Sequence, residues 1–252
     1  MSQDNLVDHF IFIYELEPSE FCANFRFNSK TIWTAEFPLR HASFSVLQNM
    51  LDVLYSVRHG TKNFEDVRGE AHYFATAIIT SISFLKGKAL EYSLRNWIEF
   101  DIESEAKKIV VGRFDSYSEP PVDHDDNQTL KNTADLMPLI LKNPPLARAL
   151  HDFHSCLSKS NPDFYVFAYR AVEDIRSHFD SSKDETDRKL AWNKMNEALK
   201  RKEDDYRELV GFAEQYRHTN MLGAAFDSDN ARKQLAFVGS LISDFIQYIK
   251  RS

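Results

Sequence analysis

Two periods divide the chain. Up to about residue 117 apolar positions alternate with polar ones, the spacing of a half-buried strand. Leu90, Tyr92, Leu94, Ile98, Phe100 and Ile102 are interleaved with Glu91, Ser93, Arg95, Glu99, Asp101 and Glu103. Phe21, Ala23, Phe25 and Phe27 alternate in the same way, and His9–Glu17, Thr31–Phe37, His72–Leu85 and Lys107–Asp115 are further strand candidates. Lys86-Gly87-Lys88 reads as a hairpin turn between two of them. Phe44, Leu47, Met50, Leu51, Leu54 and Tyr55 fall at helical spacing after Ser43, a residue suited to an N-cap, so one helix is predicted to pack on the sheet. Such alternation implies an antiparallel sheet with one wet face.

Ser118 to Thr133 holds two prolines, several acids and few apolar residues, and reads as a connector. Beyond it the period is 3.6. Pro138, Pro144 and Pro145 close a short helix and open a longer one over Leu146–Ser160. Asn161 and Pro162 start the next, with Phe164, Ala168, Ala171, Val172, Ile175 and Phe179 on one stripe. The spacing Ser182-x-x-Glu185 is a capping box for a helix that turns Trp192, Met195 and Leu199 inward. A further helix is predicted over Glu203–Tyr216 and a last over Asn230–Lys250. The expected fold class is α+β: residues 1–117 a β-rich domain with one packed helix, 118–133 an acidic connector, 134–252 an all-helical bundle.

Composition narrows the function classes. The 252 residues are 43% hydrophobic and 27% charged, ordinary for a globular chain. The net charge of −7 falls on the first 133 residues, while 134–252 carry equal numbers of basic and acidic side chains, so neither part is a basic nucleic-acid glove. Lys200-Arg201-Lys202 is followed at once by Glu203-Asp204-Asp205, the pattern of a self-compensating solvated face. Cys22 and Cys156 form no CxxC spacing, which suits a reducing compartment. MSQDNLVDHF lacks a basic segment ahead of an apolar run, and Ala71–Leu85 is shorter than a membrane span needs. The expectation is cytoplasmic, with no membrane partner. Seven glycines, with no GxGxxG and no GxxxxGK[ST], disfavour a Rossmann or P-loop site.

Two constellations carry candidate chemistry. Tyr165, Tyr169, Glu173 and Arg176 are spaced by four, four and three, placing them on one helix face opposite the apolar stripe. They suit a base or phosphate, or else Glu173 and Arg176 make an ordinary surface ion pair. Arg217 and His218 end the fifth helix. Arg217 shares an arc with Tyr206, Val210 and Ala213, along the apolar seam, where a guanidinium needs a partner. The alternative is a cation placed at a helix C-terminus by the macrodipole. His151-x-x-His154 and Asp123-His124-Asp125-Asp126 fall short of the three or four ligands a metal needs, so no metal and no cofactor is expected. Arg148 and His154 share a spacing that chance supplies readily. Cys156 reads as a buried apolar residue, and no GxSxG elbow supports acyl transfer.

A helix reading YRAVEDIRSHF, a Trp-bearing helix and a helix ending YRH resemble the HEPN superfamily over roughly residues 144–250. The resemblance implies a small helical bundle that binds or cleaves RNA, in bacterial defence or stress settings, acting as a homodimer. In active members an Arg, a polar residue and a His four to six positions on form the cleaving pair. Here Arg217 and His218 supply the first two, and Leu222, Gly223 and Ala224 occupy the positions of the third. The implied function is therefore RNA or nucleotide association with little or no catalysis, its ligand candidates being Arg217, His218, Tyr169, Glu173 and Arg176. The alternative is an assembly module without a nucleic-acid role, suggested by 13% aromatic content.

Overall fold

The structure is a computed structural model that describes residues 7–17, 23–28, 41–58, 64–101, 104–109, 124–158, 163–180, 185–218 and 228–251. The chain divides into two compact units, one formed by Met1–Leu85 and Leu90–Leu141, the other by Lys86–Ala89 and Lys142–Ser252. The class is α+β, as the two periods predict.

The first unit is built on β1 (Val7–Glu17), β2 (Ala23–Asn28), β3 (His41–Gln48), β4 (Met50–Arg58), β5 (Glu91–Asp101) and β6 (Ser104–Ile109). They form one antiparallel sheet in the order β2-β3-β4-β1-β5-β6. β2, β3 and β4 are consecutive neighbours and β1 returns beside β4, a Greek-key arrangement. β4 and β5 flank β1 and run parallel to each other. Helix α1 (Phe64–Lys86) joins them, making a split β-α-β unit.

Alternation sets the core. Phe10, Phe12, Tyr14 and Leu16 are buried on β1, and their partners Tyr55, Val53 and Leu51 on β4 are buried on the same face. Each such side chain contributes about 1.5–3 kcal/mol on leaving water. α1 lies on this face. Phe74 meets Phe44 with ring centroids 6.4 Å apart, Thr76 hydrogen-bonds the Tyr92 hydroxyl at 2.6 Å, and the Tyr55 hydroxyl donates to Glu70.

Two expected elements exchange types. Residues 44–55 are not a helix but the β3–β4 hairpin, which turns through Gln48 and Asn49. Phe44, Leu47, Met50 and Leu54 fit a helical wheel, yet Phe44 and Val46, then Leu51, Val53, Tyr55 and Val57, are the buried set, and its period is two. Conversely, His72–Leu85 is not a strand but the second half of α1. There Ala77 through Ser83 are all buried, so no periodic face marks the helix. Lys86-Gly87-Lys88 is correspondingly a helix end, with Gly87 at φ +62°, where glycine is free of a Cβ penalty. Thr31–Phe37 and residues 110–115 lie outside the described residues.

Within the expected connector, a helix already runs: α2 spans His124–Lys142 and carries Pro138 inside it. Leu130, Thr133, Ala134, Met137 and Leu141 are buried at three- and four-residue spacing, so the apolar stripe begins before residue 134.

The second unit contains α3 (Pro144–Leu157), α4 (Asp163–Ser177), α5 (Glu185–Leu199), α6 (Asp204–His218) and α7 (Ser228–Arg251). Asn143 caps α3, its Oδ1 accepting from the Leu146 N–H at 3.1 Å, with Pro144 and Pro145 in the first turn. α4 is the central helix, packed against α3, α5, α6 and α7. Among the described residues no helix is long and apolar enough to cross a membrane.

Candidate functional site

The centrality of α4 changes the meaning of its polar row. Tyr165 and Arg176 are buried, and Tyr169 and Glu173 are half-buried, so the row is not an exposed face opposite the apolar stripe. The exposed positions of α4 are instead Asp163 and Arg170. Tyr165 stacks on Phe212 of α6, with centroids 4.8 Å apart and planes at 20°, and its hydroxyl accepts from Asn230 of α7 at 3.5 Å. The Tyr169 hydroxyl donates to Glu173 Oε1 at 3.2 Å. Arg176 lies 3.4 Å from Glu173 and 3.4 Å from Asp180, and its guanidinium sits over the Trp192 indole, 5.8 Å from the ring centroid. A cation held over an indole fixes the ring's position as well as adding attraction.

Trp192 leads to a cleft of about 330 Å³ between α5 and α6, with Tyr169 contributing from α4. Lys189, Trp192, Asn193 and Asn196 line it from α5 at positions i, i+3, i+4 and i+7. Glu203, just ahead of α6, and Tyr206, Arg207 and Val210 on it repeat that spacing. Both helices thus turn a mixed aromatic and polar stripe toward the same space. Trp192 is half-buried at the cleft wall, while Ala191, Met195 and Leu199 are the buried residues of α5 among those described.

The turn between these helices aligns them. Lys200 adopts φ 55°, Arg201 N–H bonds Asn196 O at 2.9 Å and Lys200 N–H bonds Glu197 O at 3.4 Å, a Schellman end to α5. Arg201 then anchors to α7, its Nε 3.0 Å from Asp244 Oδ2 and its guanidinium over Phe237. The Asp205 carboxylate accepts from Lys202 N–H at 2.8 Å, opening α6. The segment Lys200–Asp205 is therefore a built hairpin corner and not a merely solvated run of charge.

Two residues that line this cleft each carry a buried polar atom without a hydrogen-bond partner: the Tyr206 hydroxyl, on a residue 3% exposed, and Asn196 Oδ1. Burial pushes the Tyr206 phenol well above its usual range, so it remains a donor at neutral pH. Lys189 and Arg207 are exposed at the cleft, Arg207 paired with Asp204 one turn back. The half-buried aromatic rings of Trp192 and Tyr169 and the exposed cations suit a planar, anionic ligand.

Of the candidates read from the sequence, Tyr169 lines the cleft, while Glu173 and Arg176 hold Tyr169 and Trp192 from outside it. The backbones of Arg217 and His218 close α6, and their side chains lie outside the described residues, as do residues 219–227. On the arc that Arg217 was predicted to share, Tyr206 and Ala213 are buried and Val210 is half-buried. Trp192 and Tyr206 were legible only as core residues. The matching i, i+3, i+4, i+7 sets from Lys189 and Glu203, on either side of one turn, were the signal for the cleft.

The remaining candidates have structural partners. Arg148 pairs with Asp174 at 2.7 Å and donates to Ser177 at 3.1 Å, joining α3 to α4. Burial lowers the His151 pKa, with His154 and Arg170 adding to the effect. Among the described residues no group of three His, Cys, Asp or Glu side chains is placed to hold a metal ion. Cys156 is buried with its Sγ 3.6 Å from Phe164 O, and burial pushes its thiol up, away from nucleophilic form.

No curated protein and no solved structure matches the chain. Residues 134–250, which begin inside α2 and run through α7, are similar to the C-terminal domain of DUF8168, a domain of unknown function.

Proposed function

We propose that the helical unit binds RNA or a nucleotide without cutting it, and that the α5–α6 cleft is where it does so. The observation that carries this reading is the juxtaposition of the half-buried rings of Trp192 and Tyr169 with Lys189 and Arg207 around one space. Aromatic faces take up bases, and cations answer the phosphate. The absence of a histidine at positions 222–224 supports binding over cleavage. The HEPN resemblance adds a defence or stress setting and a homodimeric state. A single-copy mass in light scattering at high concentration would remove the homodimer from this reading.

Assembly without a nucleic-acid role has less behind it. Leu85 and Leu190 are the exposed large hydrophobics among the described residues, one in each unit.

Fluorescence anisotropy of a labelled oligoribonucleotide, with the parent chain beside Trp192→Ala and Arg217→Ala, tests the proposal. Trp192→Ala should weaken binding about tenfold or more, the worth of one stacked base. Binding should also fall as salt rises, with a shallow slope because few phosphates are contacted. No binding of RNA or of mononucleotides by the parent chain would end the reading.

A further inference from the structure

We infer that the exposed rows of α3 and α4 form a second site, for a phosphate group, and that a proton on the buried Asp152 opens it. None of its residues lines the α5–α6 cleft, so it stands apart from the nucleotide reading of that cleft. Arg148, His151 and Ser155 fall at i, i+3 and i+7 on α3, and Arg170, Asp174 and Ser177 at i, i+4 and i+7 on α4. The two rows meet through Arg148, which pairs with Asp174 at 2.7 Å and donates to Ser177 at 3.1 Å. Arg148, His151 and Arg170 are exposed, so all three are within reach of a solute. Their charges also crowd one another: His154 and Arg170 both disfavour a proton on His151. A phosphate has oxygens for several such donors and suits guanidinium geometry.

Asp152 decides the charge of these rows. It is 1% exposed, and neither carboxylate oxygen accepts a hydrogen bond, although Arg170 Nε stands 3.2 Å from Oδ2. A buried carboxylate without hydrogen bonds is poorly supported as an ion and takes up a proton readily. The charges acting on it come from Arg170, Asp174 and Arg148; α7, which also packs on α3 and α4, adds none to that set. The Cys156 thiol, one turn on, is neutral. When ionised, Asp152 and Asp174 balance Arg170 and Arg148, and an arriving phosphate meets no net charge. When protonated, Asp152 no longer neutralises Arg170, and the Asp174 carboxylate serves as acceptor for its proton. The Arg170 guanidinium is then released to an oxyanion, through charge-assisted hydrogen bonds. Protonated His151 adds a second donor beside it. Proton uptake and phosphate binding therefore promote each other.

Calorimetric titration of the full chain with inorganic phosphate and with an oligouridylate tests this, at fixed ionic strength and on either side of the Asp152 titration near pH 6. Phosphodiesters and uracil keep their charge over this range, so a change in oligouridylate binding comes from the protein. At least one probe should bind the parent about tenfold or more tightly on the acid side. A gain confined to inorganic phosphate assigns the site to a free ion, and one confined to the oligouridylate assigns it to a strand. Asp152→Asn, permanently uncharged, should carry most of the gain to the alkaline side. Asp152→Asn combined with Arg170→Gln should lose it on both sides, and Trp192→Ala should leave it intact. Equal affinities on the two sides, or no binding of either probe, overturn the inference. So does an Asp152→Asn protein that binds as weakly as the parent on the alkaline side, or a double variant that keeps the gain. Oligouridylate binding that ignores pH and is lost in Trp192→Ala overturns it while leaving the cleft reading intact.

Discussion

Trp192 and Tyr206 meet edge-to-face across the α5–α6 corner, ring centroids 5.3 Å apart and planes at 66°. Tyr206 makes a second such contact with Phe237 of α7, at 5.4 Å and 78°. Its ring is thus fully used in packing while its hydroxyl has no partner. The two halves of one side chain have opposite effects on stability.

Replacing Tyr206 by Phe separates them. The ring contacts survive and the desolvated hydroxyl is removed, so the unliganded protein should gain about 1 kcal/mol. Urea denaturation followed by circular dichroism measures this. A clear loss of stability would mean that the hydroxyl is satisfied within the protein.

The sequence disclosed the fold class because its two periods are physically distinct, and most elements fall where those periods place them. It misassigned residues 44–55 because six apolar residues there satisfy a helical wheel while the burial that matters follows a period of two. It misassigned 72–85 because Ile78, Ile79 and Ile82 favour strands locally, and a helix buried all round shows no stripe. The cleft was partly legible. Tyr169 was named for its spacing, but that α4 is surrounded by four helices is a tertiary fact, and so the row looked exposed. The orphaned hydroxyl of Tyr206 is invisible to any pattern of residue types.

Lys200 occupies the left-handed region, at φ 55°, in the Schellman turn that ends α5. A Cβ there is disfavoured, and glycine at this position relieves the strain. Lys200→Gly should stabilise the helical unit by about 1 kcal/mol, and Lys200→Val should destabilise it by a comparable amount. Thermal unfolding of the two variants beside the parent tests the pair. Equal midpoints would indicate that the corner relaxes without need of this conformation.

Asn143 serves two neighbours. Its Oδ1 caps α3 through Leu146 N–H, and its Nδ2 lies 3.2 Å from His178 Nδ1. His178 also makes T-shaped contacts with Phe179, Phe245 and Tyr248, and burial lowers its pKa. Asn143→Ala should cost about 1–2 kcal/mol. Asn143→Asp should keep the cap but set a carboxylate against the imidazole, raising the His178 titration midpoint. NMR titration of the ring protons reads that shift, and an unmoved midpoint would show that Asn143 does not engage His178 in solution.

Asp152 supplies a pH signature. It is 1% exposed on α3, its Oδ2 3.2 Å from Arg170 Nε, and its carboxyl is raised from the ordinary 3.8 to about 6. Burial is the chief cause; Asp174 reinforces it, while Arg170 and Arg148 oppose it. Between those two pH values the native chain holds a proton that the unfolded chain has released. The group's contribution to stability is therefore complete below about pH 3.8 and disappears as pH rises through about 6, a swing on the order of 3 kcal/mol. Neighbouring His151 has the opposite sense. Its lowered pKa contributes stability above the ordinary 6.5 that is lost as pH falls. Asp152→Asn, which mimics the protonated carboxyl, should remove the Asp152 component and make the protein more stable than the parent above pH 6. His151→Gln in the same background should flatten what slope remains near pH 6.5. Urea midpoints from pH 4 to pH 8 decide the matter, and parallel curves for parent and Asp152→Asn would mean that Asp152 ionises normally beside Arg170.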